Sequence, residues 1–180
     1  MSVPKVEVVV LGLLAEEQLY GYELLERFRA RSIGFWIEVG KASVYQTLHR
    51  LERAGLVSGR AQEGSEGPDR RVFRITKAGL ARLRQGLDER VGLLTPYETE
   101  AGTALGFANL LAVPETRAAV DARERAVRDL LDALAAERSR TAGERGSART
   151  VSNAMLDRQE SFAKAELAWL GAFRKRIGRR

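Results

Sequence analysis

Gln46, His49, Arg50 and Arg53 follow one another at helical spacing. At 100° per residue they gather on one side of a helix, roughly opposite the apolar stripe Val44, Leu48 and Leu51. Each type has a use in recognition. A glutamine amide can pair bidentately with adenine, arginines reach guanine edges or phosphates, and the hydroxyls of Ser43 and Thr47 can hydrogen-bond to phosphate. Arg70 and Arg71 stand further along the chain. On the edge of a β-hairpin they would meet phosphate or a minor groove, the plainer reading being two solvated strand residues. All of this chemistry holds a polyanion; none of it breaks a bond.

Other chemistries find little support. The chain of 180 residues has no cysteine and one histidine, which excludes disulfides, thiolate metal sites and cysteine nucleophiles and leaves His49 without companions for a zinc site. No Gly-x-Ser-x-Gly elbow, phosphate-binding glycine loop or paired-histidine motif occurs, so neither an enzyme nor a metal or other cofactor is expected. The formal net charge of +6 and a pI near 10.0 draw the chain towards nucleic acid or an anionic membrane surface, and composition alone does not choose between them. The apolar run Val8 to Leu14 is too short to span a bilayer and is followed at once by Glu16-Glu17, a poor cleavage site. The expectation is a soluble, unprocessed cytoplasmic protein with no membrane partner.

The elements that must position these residues can be read from periodicity. Pro4 suits a first helical turn, and Val6, Val10, Leu13 and Leu14 recur at helical spacing, although Val8-Val9-Val10 by itself favours a strand. A second, amphipathic helix is predicted over Tyr20 to Arg31, with Leu24, Leu25 and Phe28 on one face. Phe35-Trp36-Ile37 is a candidate minimal strand, with Trp36 in the core. A third helix is expected over about 41–54, closed by Gly55 as a left-handed cap. Residues 56–75 read as a β-hairpin with a long tip over 63–69, after which Thr76 is placed to cap a helix carrying Leu80, Leu83, Leu87, Val91 and Leu94.

Helix, helix, helix, hairpin, helix is the order of a winged helix-turn-helix, whose third helix enters the major groove. Here a resemblance becomes specific. Leu11-Gly12-Leu13-Leu14 with Leu19-Tyr20-Gly21-Tyr22-Glu23-Leu24, then Ala42 to Glu52 with Gly55-Leu56-Val57, then Arg70 to Gly79, are similar in order and spacing to motifs of PadR-type transcriptional regulators, over about the first 90 residues. Gln46 departs from the family, which often has proline there, and Val72-Phe73 replaces the commoner pair of tyrosines. Tyr20 and Tyr45 fit either packing with an exposed hydroxyl or a phosphate hydrogen bond from a helix end. The resemblance tips Tyr45 towards DNA. The expected DNA-binding set is therefore Tyr20, Ser43, Tyr45, Gln46, Thr47, His49, Arg50, Arg53, Arg70 and Arg71, with Arg50 and Gln46 reading bases.

The second half has a different character. Pro96 interrupts the chain, Leu105 to Leu111 is apolar, Pro114-Glu115 opens a helix, and Val120, Val127 and Leu134 stand one heptad apart. A loop is expected between Ser139 and Ser147. The last helix, about Arg149 to Ile177, carries Met155, Phe162 and Trp169 at heptad spacing with Val151, Ala165 and Ala172 on companion positions. Such a stripe is too long for one small winged domain to bury, and a partner helix would cover it. The resemblance implies a homodimeric repressor on roughly palindromic double-stranded DNA, with Val151, Met155, Phe162, Ala165, Trp169 and Phe173 in the dimer contact.

Trp169 has a second reading as a wall for a small aromatic effector, and the basic end from Arg174 as a solvated tail or a source of non-specific DNA affinity. The fold expectation is mainly α with a small β wing: a winged helix-turn-helix over 1–95, then antiparallel, coiled-coil-like helices over 96–180. The same fold can instead serve as a protein-interaction module without DNA binding, whose third helix would carry an apolar or acidic face.

Overall fold

A computed structural model describes residues 3–62, 70–91 and 100–177. The chain divides into two units, Met1–Leu94 and Thr95–Arg180. The expected hairpin tip at 63–69, Leu94 and Pro96 lie outside the described residues.

The first unit is built around α1 (Lys5–Glu16), which Pro4 precedes in extended conformation. The valine run is helical because the helix is central: Val10, Leu11, Leu13 and Leu14 are all buried, and α1 meets α2 (Glu23–Ala30), α3 (Lys41–Arg53), α4 (Lys77–Val91) and the sheet. Burial on most sides outweighs the weak helix preference of valine. Leu24, Val44, Leu48, Leu51, Val57, Phe73 and Leu83 complete this core.

The sheet has three antiparallel strands in the order β1-β3-β2, with β1 at Leu19–Tyr20, β2 at Val57–Gln62 and β3 at Arg70–Ile75. Two expectations are corrected here. Tyr20 does not begin the second helix, because Leu19 pairs with Phe73 and Tyr20 with Val72. Nor is Phe35-Trp36-Ile37 a strand: a 3-10 turn spans Ile33–Phe35, and Trp36 packs half-buried against the core.

Local signals that close the elements are present. Gly55 takes φ +69 directly after the C-cap of α3, a conformation glycine adopts without penalty. The Thr76 hydroxyl accepts the Gly79 N–H at 3.1 Å, capping α4, and faces the Gly55 and Leu56 carbonyls at 2.9 and 3.1 Å. Gly79 is needed for a second reason: a Cβ there would collide with the Leu56 carbonyl.

The second unit contains α5 (Glu100–Gly106), a 3-10 turn at Ala108–Leu110, α6 (Val113–Arg140) and α7 (Ser147–Ile177). The last two run antiparallel, as cross-pairs show: Arg123 with Glu166 at 2.7 Å, Arg138 with Asp157 at 2.6 Å and Arg174 with Asp121 at 2.8 Å. Val120, Val127 and Leu134 are buried as their spacing predicts. On α7 the buried positions are Arg149, Ser152, Leu156, Ala163 and Leu170, the last four one position on from the stripe singled out in the sequence. Among the described residues no helix is long and apolar enough to cross a membrane.

Candidate nucleic-acid interface

Helix α3 turns Val44, Leu48 and Leu51 into the core, and the angular arithmetic of the helix then leaves Ala42, Gln46, His49 and Arg53 facing away from it. Of these, Ala42, Gln46, His49 and Arg53 are all exposed. Among the described residues Gln46 and Arg53 have no side-chain partner, so their hydrogen-bonding groups face solvent unengaged. Thr47 is corrected: it lies on the buried side with Val44 and Leu51, at 7% exposure, which withdraws its hydroxyl from any phosphate. Ser43 is half-buried at the margin.

Both flanks of this stripe are held by ion pairs. On one side the Arg50 guanidinium donates to Glu7 of α1 at 3.0 Å, and Arg82 of α4 donates to the other oxygen of the same carboxylate at 2.7 Å. Glu7 is buried, while Arg50 keeps half of its side chain exposed. A buried carboxylate is costly unless paired, and two guanidinium groups on two different helices meet that requirement. Arg50, expected among the base readers, is thus drawn towards α1.

On the other flank Glu52 accepts a hydrogen bond from Arg71 of β3 at 2.5 Å, with His49 Nδ1 3.9 Å from its second oxygen. The Arg71 guanidinium lies 5.7 Å from the centre of the Phe73 ring, and His49 meets that ring edge-on at 6.4 Å. Gly59 sits beneath this cluster, where a Cβ would collide with the Glu52 carboxylate. Wing and third helix are joined here through side chains. Tyr45 is half-buried, its ring edge close to Gly21 after β1, so that a Cβ on Gly21 would lie 3.6 Å from it. Tyr20 stacks on Tyr22 at 5.7 Å.

Strand alternation puts Arg71 and Phe73 on the α3 side of the sheet and Val72 and Arg74 on the other. The outer side carries Arg60 and Arg74 around a shallow cleft with Gln18, Ser58 and Val72, Arg74 donating to Gln18 at 3.1 Å. These two arginines were not singled out in the sequence, though the alternation of β3 marks the second. Arg70 opens β3, and its side chain lies outside the described residues. Glu7 was missed as well; its only signal is one carboxylate inside the run Val6 to Val10.

The stripe expected to face a partner is mostly free of its own chain. Val151, Ala165 and Trp169 are exposed, Trp169 at 49%, and Met155 and Phe162 are half-buried. Phe173 differs: it packs against the α6–α7 core and stacks on Trp169 at 5.0 Å.

Comparison with known proteins now bears on these surfaces. Bacillus subtilis PadR in complex with operator DNA superposes with a TM-score of 0.80 at 17% identity, covering 97% of this chain and 99% of that one. The same protein in complex with p-coumaric acid gives 0.77 at 18% identity, covering 96% and 98%. The Vibrio cholerae virulence activator AphA gives 0.76 at 19%, covering 97% and 98%. At these identities the likeness is one of fold, and it establishes a winged helix-turn-helix followed by long helices. A probable transcriptional regulator of Mycobacterium tuberculosis is 32% identical over 96 residues, which is 53% of this chain and 49% of that protein. The model of the transcriptional regulator PadR-like family matches residues 10–85, a span that holds most of α1, the whole of α3 and the wing strands. By that match, residues 10–85 of this chain are similar to the PadR-like family of transcriptional regulators.

Proposed function

We propose that the chain is a homodimeric, sequence-specific DNA-binding repressor of the cytoplasm, with α3 in the major groove and the wing on backbone or minor groove. The observation that carries the reading is the outward stripe of α3, where Gln46 and Arg53 are exposed and unengaged opposite a fully buried face. In this reading Gln46 and Arg53 address base edges, while His49, Ser43 and Tyr45 border the groove. Arg50, Arg70 and Arg71 serve phosphates, Arg50 and Arg71 from the flanks where carboxylates hold them. The α7 stripe of Val151, Met155, Phe162 and Trp169 joins two copies, and a small aromatic effector tunes the assembly. The operator-bound structure of Bacillus subtilis PadR and its p-coumaric acid complex support this reading by fold.

Selection of bound duplexes from a random pool tests it. The expected outcome is a palindrome whose half-sites lie about one helical turn, ~34 Å, apart. Arg53→Ala should then relax discrimination at one base position, whereas Arg71→Ala should lower the slope of log affinity against log salt. A pool that returns no common sequence overturns the proposal.

A further inference from the structure

The two guanidinium groups that share Glu7 are not held alike. Arg82 donates its Nε to Glu7 at 2.7 Å and its Nη1 to Gln85 of its own helix at 3.2 Å, and less than a third of its side chain is exposed. Arg50 has a single bond, from Nη2 to the other Glu7 oxygen at 3.0 Å, and half of its side chain is in solvent. Among the described residues nothing else holds it. If Arg50 leaves, the buried carboxylate keeps Arg82, so no buried charge is stranded. Arg50 is thus the partner that can depart.

Helical spacing fixes where it would go. Arg50 stands four residues after Gln46 and three before Arg53, which makes it the surface neighbour of both on α3. Held by Glu7 it is drawn towards α1; released, it joins the outward stripe. A free guanidinium there would strengthen contact with any duplex, because phosphates are the same in every sequence. Leaving Glu7 requires a phosphate placed well enough to replace a charge-assisted bond, and a duplex whose bases fit the stripe seats α3 closely enough to offer one. We infer that Glu7 is a specificity-determining residue, which withholds Arg50 from backbone phosphates until a matched duplex supplies one in exchange. The inference rests on the DNA-binding reading above.

The test sets the full chain beside Glu7→Gln on two probes, the duplex selected from the random pool and a scrambled duplex of equal length, followed by fluorescence anisotropy. Glutamine has the size of glutamate but accepts at one end only, so it can keep Arg82 and turns a donor towards Arg50. Glu7→Gln is expected to tighten binding of the scrambled duplex about tenfold and of the selected duplex by less than about threefold, so that preference falls. In an Arg50→Ala background the same change should leave the scrambled duplex within about twofold, since only the release of Arg50, and not a general gain of positive charge, depends on that side chain.

Preference unchanged by Glu7→Gln, or equal weakening on both probes, overturns the inference. So does a gain on the scrambled duplex that persists without Arg50. Should Glu7→Gln not fold, Arg50→Ala decides, because Glu7 there still has Arg82: a loss of about tenfold on the selected duplex and under about twofold on the scrambled one is expected, and equal losses overturn the inference. The DNA reading fails separately. A pool without a common sequence condemns it and this inference together, whereas a selected duplex that the unaltered chain prefers leaves it standing whatever Glu7→Gln does.

Discussion

The two units bury their apolar residues in opposite ways. In Met1–Leu94 a helix runs through the middle, and α2, α3, α4 and a sheet close around it, so that a single cluster holds most of its large aliphatic side chains, with Leu87 and Val91 at the end of α4 left exposed. In Thr95–Arg180 two helices of 28 and 31 residues share one narrow seam, and Leu130, Val151 and Trp169 remain outside it. A hairpin of two helices has no third layer with which to cover its remaining faces. The first unit thus covers most of its apolar side chains itself, whereas the second has more surface that a further copy can cover.

That contrast can be tested by substitution. The largest effect should come from Leu11→Ala, which empties a fully buried position in the first core and should cost about 2–5 kcal/mol in a denaturant titration, independent of protein concentration. Trp169→Asp should act the other way, weakening self-association at least tenfold in sedimentation while the unfolding midpoint of the first unit stays put. Should Leu11→Ala become concentration-dependent, or Trp169→Asp fail to alter assembly, the contrast between the two units does not hold.

Smaller effects sharpen the picture within the first unit. Gln46→Ala should cost about 1–3 kcal/mol of discrimination at one base pair, read from competition between operator variants, and leave stability unchanged. Thr76→Ala removes the cap of α4 and should cost about 1 kcal/mol of stability. The smallest effect concerns Glu89, whose carboxylate accepts the Val3 N–H at 3.0 Å and a hydrogen bond from Gln85 at 2.8 Å. The backbone bond first, then Gln85, hold this carboxyl below the usual glutamate range. Because its pKa is lowered by folding, its contribution is present above the ordinary glutamate pKa and is lost as pH falls through the depressed value. The protection of the Val3 amide, measured relative to its intrinsic exchange rate at each pH, should therefore fall on acidification, and Glu89→Gln should remove that pH dependence.

Much of this organisation is legible in the residues themselves. Val44, Leu48 and Leu51 define the buried side of α3, Gly55 and Thr76 mark where elements stop and start, and Val120, Val127 and Leu134 mark the seam of α6. What escapes is decided by contacts distant in sequence. A strand of two residues has no periodicity, so Leu19–Tyr20 exists only because β3 is there to pair with it. Thr47 stands at the edge of the apolar stripe, where residue type does not say which way a small hydroxyl turns. On α7 two heptad stripes run side by side, and spacing cannot tell that Leu156 and Leu170 face α6 while Trp169 faces out. The Glu7 clasp joins residues 43 and 75 positions apart, beyond the reach of any local pattern.

The clasps on either side of α3 alter how this surface should exchange ions. Arg50 and Arg71 each already have an anion of the protein's own, Glu7 and Glu52. To meet a phosphate they must trade one anion for another; Glu52, left behind by Arg71, recruits a cation from solution, whereas Glu7 keeps Arg82. Such a swap liberates fewer ions than the approach of a bare cation such as Arg53. Affinity should accordingly fall less steeply with added salt than a count of arginines at the interface suggests, and the unengaged positions would govern what dependence remains.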